Sequence, residues 1–263
     1  MVRPKKSLGQ NWLRSESALR AIIEAGELSP SDTVLEIGPG EGVLTAALLE
    51  RAGRVIAVEK DERLVAFLNE KFAESIRNKQ LEILNEDILD WKIENLLESG
   101  KWKLIANIPY YLTGQIFRKF LETENQPILA VLLVQKEVAE RIVGLPRAKS
   151  RGAKESLLSI SVKAFGEPKI IKTVPAGAFH PRPKVDSAIL KIANISRARL
   201  GDLETSAFFT LLRQGFAHPR KLLAGNLSCS TESLATCKIN PKARAENLSL
   251  EQWLCLQKIL SQN

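Results

Sequence analysis

Apolar residues follow two rhythms along this chain. Over 15–25 they recur every third or fourth position (Ala18, Leu19, Ile22, Ile23), predicting a helix capped by Ser15 and stopped at Gly26. Residues 33–37 are instead a continuous β-rich run, followed at once by Gly38-Pro39-Gly40-Glu41-Gly42 and a helical stretch through Arg51 that Gly53 closes. The couplet repeats with a strand over 54–58 and a helix over 61–76. Buried strands are expected over 81–84 and 104–106; the second is bounded by Lys103 and by Pro109, which cannot extend a ladder. Next come a helix over 112–121, a buried strand over 128–134 and helices over 137–143 and 155–165, the last two separated by a Pro/Gly/Lys/Arg loop at 145–152. Strands over 169–174 and 185–192 flank a broad loop, 175–183. From Asn194 onward the pattern is helical alone, with helices near 203–217, 219–227 and 249–261.

Strand and helix alternating at this pitch predict a mostly parallel sheet covered on both faces. The expected organisation is an α/β domain over 1–193 and a small all-α domain over 194–263. Ligands of such sheets bind beyond the carboxyl ends of the strands. The polar residues collect there: Glu36 and Gly38 after the first strand, Glu59 after the second, Asp87 after the third, Asn107 after the fourth. Gly38-x-Gly40-x-Gly42 lets backbone approach a ligand closely, but Val43 stands where a dinucleotide fingerprint wants its third glycine. Glu59 falls 21 residues after Gly38, where a carboxylate accepts from two ribose hydroxyls or, alternatively, partners the next helix N-terminus. Asp87 reads either as an acceptor for an adenine amino group, with Ile88 packed on the ring, or as a solvated helix cap. Asn107-Ile108-Pro109-Tyr110 is a rigid polar corner offering an amide, free carbonyls and an aromatic face. It suits a flat base carrying an amino group; a strand-end turn with a packing tyrosine is the plainer alternative.

Charge adds a second partner. The chain of 263 residues carries a net +8, yet residues 1–140 hold 18 Lys/Arg against 22 Asp/Glu. Residues 141–193 hold 11 against 3, and 194–263 hold 9 against 5. Basic residues concentrated just after the polar corner point to a polyanion, where a solvated basic face is the other explanation. No apolar run approaches the roughly 20 residues that span a bilayer, so no membrane partner is expected. The opening residues lack the apolar core of a secretory signal. Two histidines, and three cysteines (Cys229, Cys237, Cys255) in no CxxC spacing, leave no metal expected and make a reducing cytoplasm the simplest home.

Together the strand-end residues describe an S-adenosylmethionine site, and the sequence resembles the rRNA adenine dimethyltransferases of the KsgA type. The matching stretches are Lys5-Lys6-Ser7-Leu8-Gly9-Gln10-Asn11, Val34-Leu35-Glu36-Ile37-Gly38-Pro39-Gly40, Asn107-Ile108-Pro109-Tyr110, Phe179-His180-Pro181-Arg182-Pro183-Lys184-Val185-Asp186-Ser187 and Gly215-Phe216-Ala217-His218-Pro219-Arg220-Lys221-Leu222. Trp12 departs from the family's phenylalanine, and Ser150 stands where an aromatic commonly precedes the Arg-Gly pair. The resemblance implies a class I, Rossmann-like methyltransferase domain with a small helical C-terminal domain. It implies that Asn11, Leu13, Gly38, Glu59, Asp87, Ile88 and Asn107 line the cofactor. It further implies that Asn107 and the Pro109 carbonyl hold the target amine, and that Tyr110 and Phe179 sandwich the adenine. Lys5, Lys6, Arg147, Lys149, Arg151, Arg182, Lys184, Arg220 and Lys221 are the expected RNA contacts. The implied substrate is small-subunit 16S rRNA in an immature subunit, methylated at two adjacent adenines near the 3′ end by a cytoplasmic monomer. A large-subunit methyltransferase of the macrolide-resistance type and a non-catalytic ribosome-assembly protein remain the alternatives. A nicotinamide oxidoreductase is disfavoured by Val43.

Overall fold

A computed structural model describes residues 2–5, 8–92, 101–145 and 154–261. Seven strands form the main sheet in the order β4-β3-β2-β5-β6-β9-β7. They are β2 (Thr33–Ile37), β3 (Arg54–Glu59), β4 (Leu81–Asn85), β5 (Trp102–Asn107), β6 (Leu129–Gln135), β7 (Glu167–Val174) and β9 (Ser187–Ala193). From β4 through β6 every neighbouring pair is parallel, and β9 runs antiparallel to β6. Two short strands, β1 (Trp12–Leu13) and β8 (Phe179–His180), make a separate antiparallel pair. The central strands are mostly apolar because helices bury both faces of a parallel sheet. Val55, Ile56, Ala57 and Val58 of β3, for example, are all buried.

The helices are α1 (Glu16–Gly26), α2 (Val43–Leu49), α3 (Glu62–Lys71), α4 (Ala73–Arg77), α5 (Thr113–Leu121), α6 (Lys136–Val143) and α7 (Leu157–Phe165). They continue with α8 (Thr205–Phe216), α9 (Leu223–Leu227), α10 (Thr231–Thr236) and α11 (Leu250–Leu260). Ser15 caps α1 as expected, but the left-handed residue that ends the helix is Glu27, not Gly26. Gly26 serves packing instead: a Cβ there would sit 2.7 Å from Ile105 of β5. The single helix expected over 61–76 breaks at Phe72, whose φ of −112° interrupts the turn between α3 and α4. Among the described residues no helix is long and apolar enough to cross a membrane.

The chain divides into two compact units, residues 1–139 with 169–195, and residues 140–168 with 196–263. The expected boundary at 193/194 lies close to the last crossing, at 195/196, but the sequence pattern did not show that 140–168 leaves the α/β unit. Within the helical unit Phe216 stacks on Trp253 at 5.5 Å and Phe165 on Phe209 at 5.8 Å. Cys237 and Cys255 are joined there by a disulfide, a pairing for which their spacing gave no sign. Helix α10 was likewise unforeseen, being only six residues long.

Lys103 looks in sequence like the boundary of a strand and is instead buried inside β5. Its ammonium donates to the Glu27 carbonyl (2.6 Å) and to Asp32 Oδ2 (2.9 Å), so a charge within the sheet is matched by the end of α1 and the turn before β2. Removing one member of a buried pair strands the other. Lys103→Met should cost about 2 kcal/mol of stability, the lower part of the range for such a loss because Asp32 keeps its bonds to Ser29. Chemical denaturation with an unchanged midpoint would show that the pair contributes nothing.

Candidate cofactor and substrate site

A cavity of about 290 Å³ opens at the carboxyl ends of the parallel strands. Each strand end contributes to it: Gly38 after β2, Glu59 of β3, Asp87 and Ile88 after β4, and Asn107 of β5. Pro109 and Tyr110 line it too, as does Asn11 from the N-terminal segment. Eight of the predicted cofactor and target residues are thus gathered around one space. Gly38 has a φ of +64°, a conformation that favours glycine, and a Cβ there would meet no atom within 4 Å. Its bare backbone leaves that wall open to a ligand.

Leu13 and Phe179 are not among the residues that line this cavity. They face each other in the β1–β8 register, lie 5% and 4% exposed, and pack into the core with Ile22 and Val131. Side chains alternate along a strand, so in β1 it is Trp12 that lines the cavity while Leu13 turns inward. In the sequence Trp12 stands out only as a departure from the family pattern. Its Nε1 is buried with no hydrogen-bond partner among the described residues. A buried donor without a partner is costly, and a ligand in this cavity is one way to satisfy it.

The strand-end carboxylates differ because their neighbours differ. Glu59 accepts from the Asp61 N–H (2.8 Å) on one oxygen and from the Gly40 N–H (3.3 Å) on the other. Burial raises its pKa, opposed by those N–H bonds. Each oxygen keeps a lone pair, so the pair can receive two hydroxyls. Asp87 accepts from Lys60 Nζ (2.6 Å) and from the Leu89 N–H (3.0 Å), and Lys60 holds its pKa below the ordinary value. Asp61 is buried yet ionised, its pKa depressed chiefly by Arg63, then by Gln10 and Lys5, against the opposing effect of burial. Through the Gln10 amide (3.1 Å) and the Lys5 ammonium (3.3 Å), Asp61 also ties down the N-terminal segment.

Asn107 has one half of its amide committed. Its Nδ2 donates to the Asn11 carbonyl at 2.9 Å, which leaves Oδ1 as the acceptor. The Pro109 carbonyl accepts from the Leu112 N–H at 3.0 Å and retains a second lone pair. The Tyr110 hydroxyl lies 2.7 Å from Ser187 Oγ. An acceptor pair beside an aromatic ring can hold a planar base by its amino group.

Of the expected RNA contacts, Lys5 is ion-paired with Asp61, while Arg182 and Lys184 are exposed after β8 and Arg220 and Lys221 after α8. Lys6, Arg147, Lys149 and Arg151 lie outside the described residues.

Residues 1–262 match the family described as Ribosomal RNA adenine dimethylase. The chain is 42% identical over 271 residues to Ribosomal RNA small subunit methyltransferase A of Dehalococcoides mccartyi, covering 100% of this chain and 90% of that one. It is 40% identical over 283 residues to the protein of the same name from Nostoc punctiforme, covering 99% and 96%. Among solved structures it is similar to a dimethyladenosine transferase from Plasmodium falciparum, with a TM-score of 0.77, 26% identity and coverage of 95% and 98%. The 23S rRNA methyltransferase ErmE gives a TM-score of 0.75 at 26% identity, covering 95% and 100%.

Glu36, one residue short of the end of β2, does not line the cavity. It is fully buried, accepts from the Thr45 hydroxyl at 2.7 Å, and burial raises its pKa to about 8, with the Glu59 charge adding to the rise. Between its ordinary value of 4.5 and about 8 the folded state keeps a proton that the unfolded chain has released. Stability from this group is therefore fully present at low pH and falls as pH rises through that window. Glu36→Gln retains an acceptor for Thr45 and removes the titration. The stability of wild type relative to Glu36→Gln should drop by on the order of 4 kcal/mol between about pH 5 and pH 8. Parallel stability profiles for the two proteins would mean that Glu36 titrates normally.

Proposed function

The chain belongs to the ribosomal RNA adenine dimethylase family, and on that premise we propose that it dimethylates the N6 amines of adenines in small-subunit rRNA, with S-adenosylmethionine as donor. The observation that carries this reading is the single cavity joining a carboxylate free to receive two hydroxyls to the Asn-Ile-Pro-Tyr corner. Identities of 40–42% to small-subunit methyltransferases, against 26% to a 23S enzyme, favour the small subunit as substrate. The targets are two adjacent adenines near the 3′ end of the RNA, met in an immature subunit in the cytoplasm by a monomeric enzyme.

The residues present fit this donor. Glu59 would accept its ribose hydroxyls, Asp87 its adenine amino group beside Ile88, and Trp12 Nε1 offers a donor that lacks a partner among the described residues. When bound, S-adenosylmethionine supplies a methyl group activated by its sulfonium. The remaining task falls to the protein. An adenine amine is a weak nucleophile because its lone pair is delocalised into the ring. Asn107 Oδ1 accepts one of its N–H groups, and the Pro109 carbonyl accepts the other with its remaining lone pair. Two fixed acceptors favour a tetrahedral nitrogen whose lone pair projects out of the ring plane. The attacked nitrogen becomes acidic once alkylated, so no histidine is required as base. One N–H remains after the first transfer, and a second methylation can follow with that N–H held by one of the two acceptors. The target base must leave its stack to reach this corner, and the face of Tyr110 offsets part of that cost. Phe179, the second expected stacking residue, is buried opposite Leu13 and does not line the cavity.

Asn107→Ala should lower single-turnover methyl transfer by roughly 10²–10³ at saturating S-adenosylmethionine. RNA affinity should change little, because phosphate contacts dominate binding. Mass spectrometry of N6,N6-dimethyladenosine in undermethylated small-subunit RNA reads the product, and formation at near wild-type rate would refute the mechanism. Replacing both Arg220 and Lys221 by Ala should reduce the slope of log affinity against log salt by roughly one for each phosphate that is no longer neutralised. An unchanged slope would show that these cations do not touch the RNA.

A further inference from the structure

One hydrogen bond at the substrate corner has no task in the methyl transfer itself. The Tyr110 hydroxyl lies 2.7 Å from Ser187 Oγ, and Ser187 is completely buried at the start of β9. The residues after it, Ala188, Ile189 and Leu190, are all buried and apolar. A hydroxyl buried in such a run is costly unless it is bonded, and Tyr110 is its partner among the described residues. Ser187 is itself well anchored. It pairs with Gln135 across the β6–β9 ladder, and the preceding Asp186 is held on both sides. The Asp186 carbonyl accepts from the Lys136 N–H (3.0 Å), and its carboxylate accepts from the Ala176 N–H (2.9 Å). The Tyr110 ring is therefore fixed at both ends, by its own backbone after β5 and by a rigid strand at its hydroxyl. With the hydroxyl held, the ring cannot swing about its Cα–Cβ bond without breaking the hydroxyl contact, so its place in the corner is fixed.

We propose that Ser187 is a positioning residue for methyl transfer, holding the Tyr110 hydroxyl from β9 so that the aromatic wall keeps a fixed place beside the Asn107 and Pro109 acceptors and seats the adenine against them. The inference rests on the reading of Tyr110 as the stacking surface. It assigns to Ser187 an effect on the rate of transfer and not on cofactor or RNA affinity, since Ser187 does not line the cavity.

The test is a double-mutant cycle. Ser187→Ala and Tyr110→Phe remove the same hydrogen bond from opposite sides, and the second keeps the ring. Misplacing a reacting group slightly can cost up to about 10² in rate. Each single variant should lower single-turnover transfer at saturating S-adenosylmethionine by roughly 10-fold, and the double variant by the same roughly 10-fold, because the bond can be broken only once. The KM for RNA and the calorimetric affinity for S-adenosylmethionine should stay at wild-type values. A wild-type rate in either single variant overturns the proposal, and so does a double variant whose losses multiply to roughly 100-fold. A rate loss matched by an equal loss of cofactor affinity also overturns it, since that marks a general structural role. Should Ser187→Ala fail to fold, Tyr110→Phe alone decides the matter by the same criteria. A wild-type enzyme that makes no dimethyladenosine would instead defeat the reading on which the inference rests.

Discussion

The site depends on a hydrogen bond between residues 96 apart in sequence, from the Asn107 amide nitrogen to the Asn11 carbonyl. An asparagine side chain can present either its oxygen or its nitrogen to a ligand. Committing Nδ2 to a backbone carbonyl removes the choice and leaves an acceptor facing any amine that arrives. The bond exists because two weak elements hold each other. Trp12 and Leu13 form a strand only by pairing with Phe179 and His180, and Leu13 and Phe179 contribute their side chains to the core. Asp61 fastens the same segment from the other side through Gln10 and Lys5. Orientation of the amide is therefore a property of the N-terminal segment as much as of β5.

The second constraint is electrostatic. Glu36, Glu59, Asp61 and Asp87 all stand at or near strand ends, yet they carry different charges under the same solution conditions. Glu36, with the Thr45 hydroxyl as its partner and no cation beside it among the described residues, has its pKa raised to about 8 by burial. Asp61 is nearly as buried but is contacted by a guanidinium and an ammonium, and stays ionised. Glu59 lies between these extremes, bonded by two backbone N–H groups that orient both oxygens. Keeping the innermost acid neutral lessens the repulsion on the one that faces the ligand.

Much of this was readable from the residues alone. Parallel strands buried on both faces write themselves as continuous apolar runs, so β2, β3, β5 and β6 were placed within a residue or two. The topology rule for ligands then located Gly38, Glu59, Asp87 and Asn107 together. What escaped notice has no local signature. A two-residue strand such as β1 carries no period, and its existence is decided by a partner about 166 positions away. Without that pairing nothing in the sequence tells that the Leu13 and Phe179 side chains pack inward while Trp12 lines the cavity. Lys103 reads as a boundary because a lone lysine argues against burial, and only Asp32 and the Glu27 carbonyl reverse that argument. The excursion of 140–168 into the helical unit is a matter of tertiary partners, which periodicity does not encode.

The central claim is that Asn107 works through an oriented neutral amide, with its nitrogen tied and its oxygen accepting. Asn107→Asp isolates that claim, since it keeps acceptor oxygens, and nearly the same shape, while losing the donor to Asn11. A carboxylate there would face the Asn11 carbonyl with no hydrogen between them and would turn away. Single-turnover methyl transfer to adenine, measured at saturating S-adenosylmethionine, should then fall toward the level of an enzyme with no side-chain acceptor at this position. Transfer at near wild-type rate by the aspartate enzyme would contradict the account, because an acceptor alone would then suffice.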